Sequence, residues 1–238
     1  EISTSCDGKE ITVEVLSDLF KQLEKAGANN INLVTPTHYT KQIIEALDIY
    51  KPKIPIVWNT SGYESVETIK RLKNYFGEDG GVTVSGGEPL MQPEFIKELF
   101  TLCKNDGIST AIDTSGCILN DSVKEILKLT DIVLLDYKYI TDELYKTKVG
   151  CEKTKVDEFL EYLNSQNIDT WIRQVIIKDL NNNEASVKAL KELKEKYSCI
   201  KKIELLPFKK ICKSKYENLK IPFRFENLDE PIQGRVEQ

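Results

Sequence analysis

The chain has 238 residues, of which 40% are apolar and 30% are charged; this is typical of a folded globular protein and excludes a disordered one. Its formal net charge of −5 at pH 7 argues against nucleic acid as the main partner, because phosphate binding requires a basic surface. No apolar run is long enough to cross a bilayer and no leader sequence is evident, so we expect a cytoplasmic protein with no membrane partner.

The predicted elements begin with a helix and then alternate between strands and helices. Thr12 is a candidate cap for the first helix, whose apolar residues repeat at helical spacing from Leu16 to Leu23 before Gly27 ends it. Seven short apolar runs predict strands: INLVT, IPIVW, GVTVS, STAID, DIVLLD, TWIRQVII and KKIELL. Amphipathic helical stretches separate them, for example Val66/Ile69/Leu72, Val123/Ile126/Leu127 and Val156/Phe159/Leu160/Leu163.

Continuously apolar strands that are each followed by a helix predict a parallel sheet covered by helices. Seven of them favour an α/β fold of the TIM type: a parallel (βα) barrel, open or nearly closed, formed as one domain by residues 1–238. No G-x-G-x-x-G or Walker motif follows any strand, so the usual nucleotide-binding folds have no support.

A strand that ends in Thr-Ser-Gly occurs twice in the chain. We call Thr60-Ser61-Gly62 the first corner and Thr114-Ser115-Gly116 the second corner. Each is preceded by a strand, a polar loop, a helix and a second strand, and each is followed by a helical pattern. The shared order predicts a duplicated or recombined βαβα unit, with a seam in the glycine-rich stretch at residues 76–81.

Polar residues follow nearly every predicted strand. In a parallel (βα) barrel these positions line the mouth, meaning the loops at the carboxyl ends of the strands. They are Thr35 to His38, Asn59 to Ser61, Ser85 to Glu88, Asp113 to Ser115, Asp136 to Lys138, Arg173 and Lys209. Helix capping is an alternative reading for Asn59, Asp113 and the serines. It does not account for Glu88, Lys138 and Arg173.

The six cysteines are widely spaced and form no C-x-x-C pair, which argues against a disulfide framework. They are Cys6, Cys103, Cys117, Cys151, Cys199 and Cys212. Cys103 continues the apolar stripe of Ile96, Leu99 and Phe100, so we predict a core position for it.

Several motifs taken together resemble one known family. The strings GGVTVSGGEPLMQPEFIKELFTLCKNDGISTAIDTSG, TDIVLLDYK, WIRQVII and KIELLPF are similar to those of activating enzymes of glycyl-radical enzymes, in the radical S-adenosylmethionine superfamily. The likeness runs from about Gly80 to about Pro222. Residues 1–75, with GANNINLVTPTHY and IPIVWNTSGYESVETIK, resemble a related activase-like branch.

The resemblance implies an oxidoreductase that uses S-adenosylmethionine and a 4Fe–4S cluster held by three thiolates of a C-x-x-x-C-x-x-C loop. The resulting 5′-deoxyadenosyl radical removes a hydrogen atom from a glycine of a partner such as pyruvate formate-lyase. The implied cofactor-binding residues match the family's motifs one by one. Ser85, Gly86, Gly87 and Glu88 match its G-G-E loop, Asp113 and Ser115 its Asp-Thr-Asn, Asp136, Tyr137 and Lys138 its Asp-Leu-Lys, and Arg173 the Arg of its W-I-R strand.

Two features depart from the family. Lys209 stands where the relatives have a His after the last strand, and the 238 residues contain no C-x-x-x-C-x-x-C. We therefore expect the chain to begin just downstream of its cluster ligands, and no catalytic or metal-binding residue carries over. A cluster site made by Cys6, Cys117 and Cys212 is a weaker possibility, because whole elements separate these thiols.

Three functions stay open at this point. The leading prediction is an activase-like protein that lacks its cluster loop in this chain. The alternative is a catalytically inert recombined or engineered barrel with residual binding of adenosyl compounds. A third reading is an unrelated barrel enzyme that uses Lys138 as a Schiff-base lysine.

Overall fold

The computed structural model describes residues 9–62, 66–210, 213–223 and 225–230. All seven predicted strands are present: β1 (Ile31–Val34), β2 (Ile56–Thr60), β3 (Gly81–Val84), β4 (Ser109–Thr114), β5 (Ile132–Asp136), β6 (Asp169–Ile176) and β7 (Ile200–Pro207). The helices are α1 (Val13–Lys25), α2 (Thr40–Ile49), α3 (Val66–Phe76), α4 (Pro93–Asn105), α5 (Asp121–Leu127), α6 (Asp142–Leu144), α7 (Lys153–Ser165), α8 (Glu184–Lys196) and α9 (Lys213–Asn218). A π-helix at Tyr145–Val149 continues α6.

The first helix forms as its sequence predicts. The Thr12 hydroxyl accepts a hydrogen bond from the Val15 amide at 3.4 Å, which satisfies one of the free amides of the first turn. Phe20 is buried in the core, and Gly27 follows the helix with a φ of 80°. Side-chain capping and an apolar stripe therefore define α1 from the sequence alone.

The strands form one parallel sheet in chain order, from β1 to β7. Each strand pairs with its neighbours along the chain, and in the described residues β1 and β7 are the two edges of the sheet. The predicted parallel (βα) architecture is confirmed in its open form, a curled half-barrel covered by helices. An ordered parallel sheet of this kind brings all the strand carboxyl ends to one rim.

The segment that contains the first corner belongs to this sheet. β2 pairs with β3 in a register that joins Val57 to Gly81 and Asn59 to Thr83, so the first βαβα unit extends the sheet that the second unit begins. The predicted seam at residues 76–81 connects α3 to β3. The single-domain organisation and the duplicated origin of the two units stay predictions.

The two faces of the sheet differ in burial. Trp58, Ile112, Val133 and Ile172 are fully buried in the core that the helices cover, while the residues between them along the strands are only half-buried. The half-buried face follows from the open half-barrel, because its concave face is only partly enclosed. The polar mouth residues Asn59, Asp113, Asp136 and Arg173 lie on that concave face.

The core prediction for Cys103 is confirmed, since its side chain is buried on α4. Among the described residues, no helix has both the length and the apolar composition needed to cross a bilayer.

Candidate functional site

The structure brings most of the predicted site residues together at the mouth, on the carboxyl ends of β3, β4, β5 and β6. The Ser85-to-Glu88 loop leaves β3, Asp113 and Ser115 lie at the end of β4, and Asp136 ends β5. Arg173 pairs in register with Asp136 across the β5–β6 ladder. Lys209 follows β7 and is exposed, and among the described residues it makes no hydrogen bond or ion pair with this group.

Arg173 joins the two aspartates. Its Nη2 atom donates to Asp113 Oδ1 at 2.5 Å and to Asp136 Oδ1 at 2.7 Å, and its Nε donates to Asp136 Oδ1 at 3.1 Å. The three side chains are only about a fifth to a third exposed. Each aspartate thus uses one oxygen for Arg173, and its Oδ2 has no protein partner in the described part of the chain.

The electrostatics of this group follow from burial and crowding of like charges. Burial raises the pKa of Asp113, Arg173 opposes the shift, and the nearby carboxylates of Asp136 and Glu88 add to it, so the net pKa is raised. Burial lowers the pKa of the Arg173 guanidinium, but attraction to Asp136 and Asp113 outweighs burial and the net pKa is raised. The guanidinium is therefore the fixed charge, and the Asp113 carboxyl takes up a proton more readily than an ordinary aspartate does.

Glu88 is held by the second corner. Its carboxylate accepts hydrogen bonds from Thr114 Oγ1 at 2.7 Å, from the Ser115 amide at 2.9 Å and from Ser115 Oγ at 2.5 Å. It also accepts from the Leu90 amide at 3.2 Å, at the end of its own loop. Glu88 therefore fixes the glycine loop to β4 and has little acceptor capacity left for a ligand.

The two corners have the same local geometry. In each, the threonine hydroxyl accepts a hydrogen bond from the glycine amide, at 2.9 Å for Thr60 and Gly62 and at 3.1 Å for Thr114 and Gly116. The two glycines have φ values of 97° and 70°, in the left-handed region that favours glycine. The corners end β2 and β4, which are the two strands on either side of β3 and its Ser85-to-Glu88 loop.

Tyr137 points away from the mouth, into the helix layer. Its ring is buried against Tyr145 at a centroid distance of 6.1 Å, and its hydroxyl donates to Asp157 Oδ1 on α7 at 2.9 Å. Asp157 also binds the Lys153 ammonium at 2.7 Å. Burial, followed by the charge of Asp157, raises the pKa of Tyr137, so the hydroxyl stays protonated. This placement favours a packing role over the predicted contact with a cofactor.

We predict that Tyr137→Phe lowers the free energy of unfolding by about 1 kcal/mol, because one hydrogen bond is lost while Lys153 still neutralises Asp157. Urea denaturation measures this change. Binding of the predicted cofactor should be unaltered in the same variant, and a severalfold loss of affinity would show that the ring does reach the ligand.

Three residues that the sequence did not single out fix the backbone beside Lys138. The Lys138 amide donates to the Tyr145 hydroxyl at 3.0 Å, Asn181 Nδ2 donates to the Lys138 carbonyl at 3.2 Å, and Gln174 Nε2 donates to the Tyr137 carbonyl at 3.0 Å. These hydrogen bonds fix only the backbone. The Lys138 side chain follows the carboxyl end of β5, at the mouth, and has no acidic partner among the described residues. In the sequence, Asn181 belongs to the polar stretch LNNNEAS and is indistinguishable there from a capping residue.

The described cysteines do not fit an iron–sulfur cluster. Cys103 and Cys199 are buried in separate parts of the fold, and no group of three potential metal ligands occurs in the described residues. Burial, followed by a hydrogen bond with the thiol of Cys117, raises the pKa of Cys151 to about 12, which opposes the thiolate form that a cluster requires. Cys6 and Cys212 of the predicted alternative triad lie outside the described residues.

The same mouth does fit S-adenosylmethionine. Gly86 and Gly87 have φ values of 89° and 55° and form an exposed turn of backbone, and a Cβ on Gly87 would meet no atom within 4 Å. Free carboxylate oxygens on Asp113 and Asp136 suit the ammonium and the ribose hydroxyls, and the Lys138 ammonium suits the carboxylate. Site residues of both charges therefore surround a cradle of open backbone.

Two curated relatives each match about three quarters of the chain. The chain is 37% identical over 182 residues to the pyruvate formate-lyase-activating enzyme of Clostridium pasteurianum, covering 74% of this chain and 76% of the relative. It is 32% identical over 192 residues to the pyruvate formate-lyase 1-activating enzyme of Escherichia coli, covering 76% and 77%.

A solved structure matches the fold, and a family model matches the sequence. The fold matches Streptococcus suis SuiB bound to S-adenosylmethionine with a TM-score of 0.55 at 17% identity, over 81% of this chain and 52% of that one. Residues 64–190, more than half of the chain, match the family model described as the radical SAM superfamily. The chain belongs to the radical S-adenosylmethionine superfamily and is a relative of its pyruvate formate-lyase-activating enzymes.

Proposed function

We propose that the mouth of this half-barrel binds S-adenosylmethionine and that the chain is an activase-like protein that acts on a glycyl-radical enzyme. The observation that carries the proposal is the group of Arg173, Asp113 and Asp136 beside an open glycine loop. The partner class, an enzyme such as pyruvate formate-lyase, comes from the relatives and not from the geometry.

Charge supports this ligand. The charged residues at the carboxyl ends of β3 to β6 are three carboxylates (Glu88, Asp113 and Asp136) and two cations (Lys138 and Arg173), so this group has one net negative charge; the exposed Lys209 after β7 is not counted in it. S-adenosylmethionine has a sulfonium, an ammonium and a carboxylate, and so one net positive charge. Opposite net charges within a partly enclosed site attract the ligand and orient its two ends.

The residues have distinct tasks in this proposal. Asp136 accepts from the ribose hydroxyls or the ammonium through its free oxygen, and Lys138 binds the carboxylate. Arg173 holds both aspartates in place through its hydrogen bonds, and Glu88 holds the glycine loop against the second corner. In the family the cofactor supplies the radical that removes a hydrogen atom from a glycine. The described residues bind and orient this cofactor, but they include no group of three thiolates that would hold the cluster from which the electron would come.

The proposal predicts that Lys138→Met weakens S-adenosylmethionine binding about tenfold, the usual cost of losing one charge-assisted hydrogen bond. Isothermal titration calorimetry on the purified chain measures the affinity. Lys191→Met is the matched control, because Lys191 is an exposed lysine within α8, outside the loops that form the mouth.

No heat of binding with the wild-type chain would contradict the proposal. Binding that is equal in the wild type and in Lys138→Met would remove Lys138 from the site. Binding by the chain without any iron uptake after anaerobic reconstitution would favour the alternative, an inert barrel with residual affinity for adenosyl compounds.

A further inference from the structure

The loop from Ser85 to Glu88 is held at both of its ends, by two different strands. At its start, the Ser85 amide donates to the Thr60 carbonyl at 2.9 Å and Ser85 Oγ donates to Asn59 Oδ1 at 2.5 Å. At its end, Glu88 accepts from Thr114 and Ser115. The exposed turn at Gly86 and Gly87 lies between these two attachments.

The first corner also lies in van der Waals range of the loop. A Cβ added to Gly86 would come within 3.1 Å of Ser61 Cβ, so the glycine allows the corner to approach the loop closely. Gly62 packs in turn against Phe95 of α4, where an added Cβ would lie 2.9 Å from the ring. The first corner is thus packed between the Ser85-to-Glu88 loop on one side and α4 on the other.

We propose that Asn59, with the first corner, positions the glycine loop for the ammonium end of S-adenosylmethionine, as Glu88 and the second corner do from the other side. This inference rests on the proposed function and deepens it. A loop fixed at both ends presents its backbone in one conformation, and binding then loses less conformational entropy. The first corner, which the sequence predicts to be part of a duplicated or recombined unit, becomes a positioning element for the site.

Asn59 is suited to this role because its backbone has a separate function. Its carbonyl accepts from the Thr35 amide at 2.8 Å in the sheet, so replacing the side chain leaves that hydrogen bond in place. Asn59→Ala therefore removes one side-chain hydrogen bond to the loop and leaves the strand intact. Ser85→Ala removes the same hydrogen bond from the donor side.

The test combines hydrogen exchange in the ligand-free chain with S-adenosylmethionine titration. In Asn59→Ala we expect the Ser85 amide, which donates to the Thr60 carbonyl at the start of the loop, to exchange up to about tenfold faster, the usual effect of one lost hydrogen bond. The affinity for S-adenosylmethionine should fall by a similar factor. Asn59→Asp, which keeps the acceptor oxygen, should restore the slow exchange, and Asn59→Ala/Ser85→Ala should exchange no faster than Ser85→Ala.

The matched control is Asn32→Ala, an exposed asparagine on the adjacent strand β1, which should change neither quantity. Unchanged loop exchange in Asn59→Ala would overturn the positioning role, and so would faster exchange with unchanged affinity, which is the result of a merely structural contact. Failure of the wild type to bind S-adenosylmethionine would instead overturn the proposed function, while the exchange data still decide whether Asn59 holds the loop.

Discussion

Arg173→Met is expected to lower the free energy of unfolding by about 2–4 kcal/mol at pH 7, because two partly buried carboxylates lose their shared counterion. The value lies at the lower end of the range for buried ion pairs because Asp113 and Asp136 are 19% and 31% exposed and water can still reach them. Urea denaturation followed by circular dichroism measures it. The control, Lys202→Met, removes a half-exposed lysine on β7 and should cost less than about 1 kcal/mol.

The same variant has a predicted pH dependence. The folded-state pKa of Asp113 is already raised by burial, and loss of Arg173 removes the opposing charge and raises it further. A group with a raised folded-state pKa binds its proton more tightly in the folded chain, so its stabilising contribution is present at low pH and is lost as the pH rises through that pKa. The difference in the free energy of unfolding between the wild type and Arg173→Met should therefore become smaller as the pH falls from 7 to about 5. A gap that is independent of pH would show that Asp113 is not buried as described.

Glu88→Ala is the second substitution with a large expected effect. Four hydrogen bonds to a carboxylate are lost, from Leu90, Thr114 and Ser115, and we expect the free energy of unfolding to fall by about 2–4 kcal/mol. Adding the usual contributions of four separate hydrogen bonds to a charged group would give a larger value. Water can replace some of these hydrogen bonds because the site is only half-buried, so the expected loss is smaller. Chemical denaturation measures the stability.

Glu94→Ala is the control for this second prediction, since Glu94 is exposed in the first turn of α4. Glu88→Gln should give an intermediate loss, because its amide keeps one acceptor oxygen but places an NH₂ group against the donors. A Glu88→Ala variant as stable as Glu94→Ala would contradict the view that Glu88 fixes the glycine loop to the second corner.

Much of the fold could be predicted from the sequence because its signals are local. The seven apolar runs are the seven strands, and the Thr12 cap and helical spacing define α1. The extent of barrel closure was less certain, since pairing of β1 with β7 depends on distant parts of the chain. The half-buried concave face of β4 and β5 likewise follows from the open sheet and not from the residues themselves.

The candidate site was predicted as a set of positions, but the contacts within it were not. Motif order placed Asp113, Asp136 and Arg173 at one rim, and the structure joins them in one ion-pair group. Tyr137 alternates to the opposite face of the chain from Asp136, as successive residues of an extended segment do, and its hydroxyl binds Asp157. Asn181 could not be found from the sequence, because its contact with Lys138 spans 43 positions.

The position of Glu88 could also be predicted from the sequence, but its contacts could not. The resemblance placed Glu88 in a G-G-E loop that binds the cofactor. In the structure its carboxylate accepts hydrogen bonds from Thr114 and Ser115 instead. The Thr-Ser-Gly repeat was the one local signal of this arrangement. Its meaning became visible only when β2, β3 and β4 were seen side by side, with one corner on each side of the loop.

Hydrogen exchange of the chain with and without S-adenosylmethionine tests the central claim most directly. Ligand binding at the mouth should slow exchange in three segments, at residues 85–88, 113–116 and 136–138, and leave the amino-terminal ends of the strands unchanged. Arg173→Met should lose this protection at the same ligand concentration. Protection elsewhere in the fold, or no protection at any concentration, would contradict the assignment of the mouth as the S-adenosylmethionine site.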